Sequence, residues 1–364
     1  MHLYKIALAM ATVCLIAALI MFIGGNITQA GALLIVFFLL LAVGFRSYPS
    51  LKGYSYTLSI LAAVTTALSY PQYFTSWGSL TLSTLIKPLI MVIMFGMGTS
   101  MSFKDFAGVI KMPKGVFIGV VSHFIIMPLI GFTLASLSNF PPEIAAGIVL
   151  VGCSPNGTAS NVISYLAKAN LALSVTITAV STMLAPLVTP LLMKLLAGAF
   201  VEIDAIDMMF EILQMVIVPV VAGLLFNYFL QGKAKWLDNA MPVLSMCAIA
   251  FIIVIITAAG RESLLTIGPA LMVVVLIHNL CGYTLGYWTG RFFKMQERDC
   301  RTLAIEVGMQ NSGMASGLAK AMGKMATVGL APAIFGPLMN TTCSVLASYW
   351  HRKPPVERES GIEF

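Results

Sequence analysis

Long apolar runs, separated by short polar connections, dominate this sequence. A helix needs about 20 mostly apolar residues to cross a hydrocarbon core of roughly 30 Å. Measured against that length, the chain contains twelve candidate membrane helices, near residues 4–23, 30–45, 56–71, 80–99, 114–138, 142–168, 171–197, 208–230, 239–258, 264–290, 299–322 and 327–350. The pattern predicts an all-α polytopic membrane protein.

The composition agrees with lipid as the main solvent of the chain. Hydrophobic residues make up 59% of it, against about 45–50% in soluble domains. Residues 1–25 could instead be a signal peptide, but their apolar run is too long and no A-x-A cleavage site follows. We therefore interpret them as a helix.

Basic residues are unevenly distributed between the connections. If the N-terminus is cytoplasmic, 16 of the 21 Lys and Arg residues fall on the cytoplasmic side. Cytoplasmic connections of membrane proteins are enriched in Lys and Arg, so both termini, including the tail 351–364, are predicted to be cytoplasmic. The net charge of +7 then needs no nucleic-acid partner. We expect a bacterial-type inner (cell) membrane location.

Two stretches share the pattern V-G-x-x-x-x-G-x-A-S, VGCSPNGTAS at 151–160 and VGMQNSGMAS at 307–316. A second pair, around His123 and His278, has nearly the same spacing, 155 against 156 residues. The repeating unit contains five predicted helices, an odd number, so the two copies must cross the membrane in opposite directions. Inverted repeats of this kind are typical of transporters. Residues 1–50 lie outside the repeat and are predicted to form an added N-terminal transmembrane hairpin that supports the bundle or faces lipid.

Both repeated stretches place helix-breaking residues at the middle of a predicted span. Pro155 cannot donate to the helix ladder, and Gly157 and Gly313 weaken it. We expect both helices to be broken there. The exposed carbonyls would favour cations, and the exposed N–H groups would favour anions.

Oxygen-bearing side chains gather beside these expected breaks. They are Ser160, Asn161, Ser174, Thr178, Glu306, Gln310, Asn311, Ser312 and Asn340. Ser174 and Thr178, four residues apart, share one helix face. The set carries one negative charge and no His or Cys, which suits a hard monovalent cation better than zinc or copper. The six Cys residues form no CxxC and no cluster of metal-ligand spacing.

Glu306 is the most informative of these residues. An ionised carboxylate at the bilayer centre costs about 2.5–3.5 kcal/mol, so such an acid indicates function by default. The alternative is a structural Glu that is hydrogen-bonded to neighbouring helices or lies nearer the interface. His123 and His278 are each interpreted as a buried neutral His bonded across helices. For His123 the alternative is proton coupling or ligation, because imidazole titrates near physiological pH.

These motifs resemble those of the bile acid:sodium symporters, the BASS family, over about residues 55–350. The resemblance rests on FGMG at 95–98, GCSPNGTASNVISYLAKANLALSVTIT at 152–178, IHNLCGY at 277–283 and EVGMQNSG at 306–313. It implies two inverted five-helix units that form a core with two crossing discontinuous helices (about 114–197 and 264–350) and a panel (about 55–99 and 208–258). It also implies sodium-driven uptake of organic anions by alternating access, and no enzymatic activity.

The resemblance also implies which residues bind. One sodium site would consist of Ser160, Asn161, Ser174, Thr178 and Glu306. A second would use the backbone carbonyls of Glu306, Val307 and Met309 and the side chain of Gln310. The substrate cavity between core and panel would be faced by Thr158, Asn311 and Asn340.

Two departures from the family pattern stand out. His123 occupies the place of a Gln, so the second site lacks a ligand, uses water, or exchanges a sodium ion for a proton on His123. The N-terminal hairpin extends the usual ten helices to twelve.

We therefore expect sodium-coupled symport of an organic anion, either bile acid-like, a sterol sulfate or a small carboxylate such as pantoate, with no oligomer required. The alternative is a proton-coupled carrier of the same fold that uses Glu306 and His123. An intramembrane hydrolase based on Ser154 is disfavoured because GCSPNG is not G-x-S-x-G. A receptor with a vestigial site is disfavoured because both repeats keep their polar residues.

Overall fold

The computed structural model describes residues 2–48, 54–157, 159–230, 235–353 and 355, and these are almost entirely helical. The helices are α1 (His2–Ile23), α2 (Ile27–Phe45), α3 (Ser55–Ser69), α4 (Ile86–Thr99), α5 (Phe103–Phe106), α6 (Gly108–Lys111), α7 (Pro113–Leu137), α8 (Pro142–Cys153), α9 (Ala159–Leu166), α10 (Leu171–Leu196), α11 (Ala205–Ile212), α12 (Val218–Leu230), α13 (Lys235–Ala259), α14 (Arg261–Phe292), α15 (Glu297–Gly308), α16 (Ser312–Ala321) and α17 (Leu330–Arg352). Two short strands, β1 (Ser76–Trp77) and β2 (Leu80–Thr81), pair antiparallel as a hairpin.

Among the described residues, nine helical segments are long and apolar enough to cross a membrane. They are Tyr4–Ile23, Thr28–Phe45, Leu82–Thr99, Pro113–Leu137, Leu171–Ala199, Ala205–Leu230, Ala240–Ala259, Arg261–Phe292 and Leu330–Arg352. This confirms the prediction of a nearly all-helical chain with many apolar helices of membrane length.

The predicted spans differ from these helices chiefly at their ends and breaks. The span 80–99 begins as β2 and a 3-10 turn, and the α-helix begins only at Ile86. Thr84 Oγ1 donates to the carbonyl of Thr81 (2.7 Å), a local bond that competes with the regular ladder. The span 208–230 is a helix with a π-helical turn at Leu213–Ile217. The spans 142–168 and 299–322 are each divided into two helices.

The N-terminal helices α1 and α2 pack against each other, and α2 packs against α3. Small residues line the buried side of the pair, namely Ala7, Ala11, Ala18, Ala30 and Ala42. Small side chains let membrane helices approach closely. The opposite side of α1 exposes large apolar residues such as Val13 and Ile20, as expected of a helix that faces lipid.

The two divided helices lie at the centre of the molecule. Every residue of α8 from Ile144 to Cys153 is buried, and so is every residue of α15 from Cys300 to Gly308. Close backbone contact makes this possible, since a Cβ placed on Gly282 of α14 would lie 2.9 Å from the Cα of Gly308. Neighbouring helices therefore surround both breaks with protein.

Candidate functional site

The two helix breaks contact each other directly. Gly157 N donates to the carbonyl of Met309 (3.0 Å), and Asn311 N donates to the carbonyl of Pro155 (2.8 Å). These bonds flank an isolated antiparallel bridge between Asn156 and Gln310. Each interrupted helix thus satisfies backbone groups that the other has freed, which a lipid environment cannot do. We refer to this contact, residues 155–157 with 309–311, as the crossing.

Position 157 has no room for a side chain, so the crossing requires Gly there. A Cβ at this position would lie 2.7 Å from the carbonyl oxygen of Gln310, closer than side-chain carbons approach backbone oxygen. Pro155, one residue before the bridge, has no N–H, so its nitrogen loses no hydrogen bond where the helix ends. The local sequence S-P-N-G therefore suits a helix that stops and lets another backbone approach.

Beside the crossing, the carboxylate of Glu306 is fully buried among hydroxyl groups. Ser174 Oγ lies 2.5 Å from its Oε1, and Thr178 Oγ1 donates to its Oε2 at 2.9 Å. Ser160 Oγ lies 3.3 Å from Thr178 Oγ1, and Ser174 Oγ lies 2.9 Å from Asn161 Oδ1. No basic side chain is among these partners. All five residues implied for the first sodium site are therefore brought together, and we refer to them as the Glu306 cluster.

Three separate elements supply the Glu306 cluster. Ser160 and Asn161 lie in the first turn of α9, Ser174 and Thr178 lie one turn apart on α10, and Glu306 lies two residues before the end of α15. The break after α8 allows α9 to start beside α10, because the described residues 154–157 leave the helix and pass through the crossing.

The residues implied for a second sodium site lie at the end of α15. The carbonyl of Val307 accepts a bond from Gln310 Nε2 (2.8 Å), and the carbonyl of Met309 accepts the crossing bond from Gly157. The carbonyl of Glu306 accepts a bond from Asn156 Nδ2. The amide oxygen of Gln310 is buried and has no hydrogen-bond partner.

His123 and His278 are both fully buried and bonded to carbonyls of other helices. His123 Nε2 lies 2.9 Å from the carbonyl oxygen of Ser154, at the end of α8. Its Nδ1 lies 3.1 Å from Asn156 Nδ2 and 3.2 Å from the carbonyl oxygen of Glu306. His278 Nε2 bonds to the carbonyl of Met127 at 2.9 Å. His123 therefore contacts both broken helices, whereas His278 joins α14 to α7.

The two described residues of the predicted substrate site, Asn311 and Asn340, each hydrogen-bond to a different partner. Asn311 Oδ1 caps α16 by accepting from Met314 N (3.0 Å), and its Nδ2 faces the sulfur of Met94 on α4. Half-buried Asn340 donates to the carbonyl of Gly336 within α17 (2.9 Å). Thr158 lies outside the described residues.

An open cavity of about 1020 Å³ lies away from these side chains. It is lined by parts of α8, α10, α11 and α16, including the acidic residues Glu143, Glu202, Asp204, Asp207 and Glu211. Neither Asn311 nor Asn340 lines it, so this cavity is not the predicted substrate site.

The Ser154 hydroxyl makes no nucleophile–base pair. Its Oγ donates to the carbonyl of Leu150 in its own helix (2.8 Å), and His123 bonds to the Ser154 carbonyl instead of the hydroxyl. A hydrolase would need the reverse arrangement, with the base on the hydroxyl. The geometry gives no support to the hydrolase hypothesis.

Sequence reasoning missed two features of the site. Asn156 was not among the candidate ligands, although its amide contacts both Glu306 and His123. A second group supports the end of α15, where Asn279 Nδ2 donates to the Gly308 carbonyl (2.9 Å) and Thr342 Oγ1 donates to Asn279 Oδ1 (2.6 Å). The Asn next to Gly157 was the available signal for the first feature, and the Asn after His278 for the second.

Comparison with known proteins shows the family to which the chain belongs. Residues 87–278 match the model of the sodium bile acid symporter family. The uncharacterized sodium-dependent transporter YocS of Bacillus subtilis is 38% identical over 309 residues, which cover 85% of this chain and 94% of the relative.

Two further relatives come from eukaryotes. The probable sodium/metabolite cotransporter BASS1 of Arabidopsis thaliana, a chloroplast protein, is 34% identical over 74% of this chain and 67% of its own length. The ileal sodium/bile acid cotransporter of Oryctolagus cuniculus is 35% identical over 65% of this chain and 70% of its own length. The apolar helices and these matches together show that the chain is a multi-pass membrane protein that belongs to the sodium bile acid symporter family.

Proposed function

We propose that this protein couples inward sodium movement to the uptake of an organic anion by alternating access. The single observation that carries the proposal is the Glu306 cluster, a buried carboxylate surrounded by neutral oxygen-bearing side chains beside the crossing. Family membership supports sodium as the coupled ion, because the relatives named above are sodium-dependent transporters or cotransporters.

The Glu306 cluster has more acceptors than protons. The hydroxyl of Ser174 lies within bonding distance of both Glu306 Oε1 and Asn161 Oδ1, yet it has one proton to donate. Thr178 is placed similarly between Glu306 Oε2 (2.9 Å) and Asn161 Oδ1 (3.4 Å). A sodium ion would bind the surplus lone pairs and balance the carboxylate charge, and hard cations prefer such oxygen ligands.

The second site in this proposal is at the end of α15. It would use the carbonyls of Glu306, Val307 and Met309 and the amide oxygen of Gln310. The carbonyls of Val307 and Met309 each accept one of the bonds described above and keep a second lone pair for an ion. The Glu306 carbonyl accepts from Asn156 and also lies 3.2 Å from His123 Nδ1. The Gln310 oxygen, which has no partner, is free to bind.

Because three different helices supply the proposed sodium ligands, ion binding can be coupled to the arrangement of those helices. An ion in the Glu306 cluster would hold α9, α10 and α15 together, so losing it would loosen the crossing. Binding of sodium and of substrate would then raise each other's affinity by the same factor. In this scheme about 114–197 and 264–350 form the core, about 55–99 and 208–258 form the panel, and the two halves are inverted repeats.

The substrate proposal rests on the starts of the two inner helices. Asn311 caps the N-terminus of α16, and Thr158 immediately precedes α9. Helix N-termini favour carboxylate and sulfate groups, and Asn340 would add an amide nearby. Bile acid-like anions, sterol sulfates and small carboxylates such as pantoate fit this chemistry.

Transport in proteoliposomes tests the proposal. Labelled taurocholate, a sterol sulfate and pantoate are offered separately, under a sodium gradient at equal pH or under a pH gradient in choline. We expect accumulation of at least one anion that depends on the sodium gradient. Full transport under the pH gradient alone, with no effect of sodium, would overturn the proposal.

A further inference from the structure

Asn156 and Gln310 face each other at the crossing in a specific way. The flanking bonds, Gly157 N to Met309 O and Asn311 N to Pro155 O, make them a non-hydrogen-bonded antiparallel pair. In such a pair the Cα atoms are about 4.5 Å apart and both side chains leave the backbone on the same side. The two amide side chains are therefore immediate neighbours.

The amide nitrogens of this pair are anchored to successive carbonyls of α15. Asn156 Nδ2 donates to the carbonyl of Glu306, and Gln310 Nε2 donates to the carbonyl of Val307 (2.8 Å). The opposite assignment of either amide would place its oxygen against a carbonyl oxygen. The hydrogen-bond partners thus determine which atom of each amide is oxygen.

The amide oxygens of the same pair have no partner. Asn156 Oδ1 and Gln310 Oε1 are both buried and unbonded, and both residues have zero exposed surface. A buried polar atom without a partner is unfavourable, because it has lost its hydrogen bonds to water and gained none in the protein. Two such oxygens on neighbouring side chains indicate that something with positive charge or with protons binds between them.

His123 holds Asn156 in this orientation. Asn156 Nδ2 has two hydrogens, and it lies beside both the Glu306 carbonyl and His123 Nδ1 (3.1 Å). If Nδ1 accepts one of them, the ring proton is on Nε2, which faces the Ser154 carbonyl at 2.9 Å. The imidazole then bonds to the end of α8 and to Asn156, and it presents no lone pair to an ion.

A cation fits this position better than a water molecule does. The ends of α8 and α15 both point their carbonyls here, and helix C-termini carry partial negative charge. The nearby donors, the two amide nitrogens and His123 Nε2, are already used on carbonyls. Water would satisfy the two oxygens but would leave the negative potential of the helix ends uncompensated.

We propose that the amide oxygens of Asn156 and Gln310 together bind a sodium ion at the crossing, and that His123 is the positioning residue that orients Asn156. The inference rests on the proposed function and adds Asn156 to its second site, where it takes the place of a ligand that His123 does not provide.

Sodium binding to the purified full-length protein tests the inference without transport. Equilibrium ²²Na⁺ binding gives the number of ions per chain, and thermal unfolding in sodium chloride against choline chloride gives the stabilisation by sodium. We expect two ions per chain for the parent protein and one for Asn156→Ala, with loss of the corresponding stabilisation. Unchanged binding in Asn156→Ala would overturn the inference and leave water as the occupant.

Asn156→Asp provides a second test of the inference if the Asn156→Ala variant does not fold. Its added charge and its lost donor to Glu306 both destabilise the sodium-free protein, so the shift in unfolding temperature between choline and sodium should exceed that of the parent. An equal shift would mean that residue 156 does not contact the ion.

Ser164→Ala is the matched control, because it removes another buried oxygen without a partner, at a position outside the crossing. We expect it to retain two ions.

The positioning role of His123 has its own readout. His123→Ala should raise the sodium concentration for half-maximal binding about tenfold and still bind two ions at saturation. A uniform loss of stability in both salts, with an unchanged half-maximal concentration, would show a purely structural role and overturn this part.

If the parent binds no sodium, or if Glu306→Gln changes nothing, the proposed function fails. If Glu306→Gln loses an ion and Asn156→Ala does not, only the inference about Asn156 fails.

Discussion

The hydroxyl of Ser174 and the carboxylate of Glu306 meet across 132 positions of the sequence, with Oγ 2.5 Å from Oε1. Ser174 lies in α10, and Glu306 lies near the C-terminal end of α15, just before the break that separates α15 from α16. The contact therefore ties the two halves of the chain together at a single charged group. The binding of an ion to this carboxylate would therefore depend on how α10 and α15 are placed relative to each other.

Removing the charge of Glu306 is the first prediction. Glu306→Gln keeps an oxygen that can accept from Ser174 or Thr178 but removes the negative charge. We expect it to abolish sodium-dependent stabilisation and sodium-driven uptake of the anions tested above, because the ion would lose its only counter-charge among the cluster. Thermal unfolding in sodium and in choline measures the first effect. A parent-like response to sodium would contradict the assignment of the Glu306 cluster.

Removing the Thr178 hydroxyl is the second prediction. Thr178→Val keeps the shape of the side chain but leaves Glu306 Oε2 without its 2.9 Å partner. Thr178 Oγ1 is also one of the proposed sodium ligands, and Val offers the ion no oxygen, so we expect half-maximal sodium binding to require about tenfold more sodium.

Thr178→Ser provides the control for that change, since it keeps the hydroxyl and loses one methyl group. It should bind sodium within a few-fold of the parent. Equal weakening in both variants would indicate that packing on α10, and not the hydroxyl, is responsible.

Filling the space at Gly157 is the third prediction. Gly157→Ala places a methyl group 2.7 Å from the Gln310 carbonyl, so the crossing must shift, at a cost of about 1–3 kcal/mol. We expect a lower unfolding temperature and weaker sodium binding together. Gly198→Ala is the matched control, because nothing lies within 4 Å of its added Cβ. If the two variants behave alike, the close approach at the crossing is not limiting.

The buried cation of α15 supports the fourth prediction. Arg301 bonds to Glu297 (3.0 Å) and to the carbonyls of Ala167 (3.3 Å), Trp350 (3.3 Å) and Lys353 (2.8 Å), and it lies 5.4 Å from the Trp350 ring centroid. Arg301→Ala removes the donor to each of these acceptors and leaves the backbone carbonyls without this bond in the protein interior. We expect a loss of about 3–5 kcal/mol in the free energy of unfolding, measured by denaturant titration in detergent.

Arg291→Ala is the control for Arg301, because Arg291 pairs with the same Glu297 (3.7 Å) through a side chain that is 49% exposed. Exposed ion pairs contribute about 0–1 kcal/mol, so this variant should unfold close to the parent. Similar losses in both variants would mean that Glu297, and not the buried bonds of Arg301, determines the effect.

The helix breaks illustrate what sequence patterns predict well. Pro155 and Gly157 lie at the middle of an apolar span, and α8 ends at Cys153, two residues before Pro155. Gly313 marks the second break less accurately, since α15 ends at Gly308, five residues earlier, and Gly313 itself lies in α16. Such residues act locally on the backbone, so their effect needs no knowledge of the tertiary structure. The same holds for the membrane-length apolar helices.

The hydrogen-bond partners of the site side chains were harder to predict from the sequence. Asn156 was not predicted as a ligand because its contacts with Glu306 and His123 depend on α15 and α7 packing against the crossing. Asn311 stays a predicted substrate residue, and the structure adds that its amide oxygen caps α16, a role typical of Asn before a helix. The contacts of Asn156, unlike the local cap of Asn311, do not follow from spacing along one element.

By itself, the sequence determined the solvent of this chain and the approximate positions of its apolar helices and of the two helix breaks, although it predicted twelve membrane helices where nine segments of the described residues have membrane length. These properties depend on hydrophobicity and on backbone chemistry over a few residues. Only the tertiary structure decided that the two breaks touch, that Glu306 is enclosed by hydroxyl groups, and that two amide oxygens are left without partners. Those relations join residues more than 100 positions apart, and they depend on which helices pack against one another at the crossing.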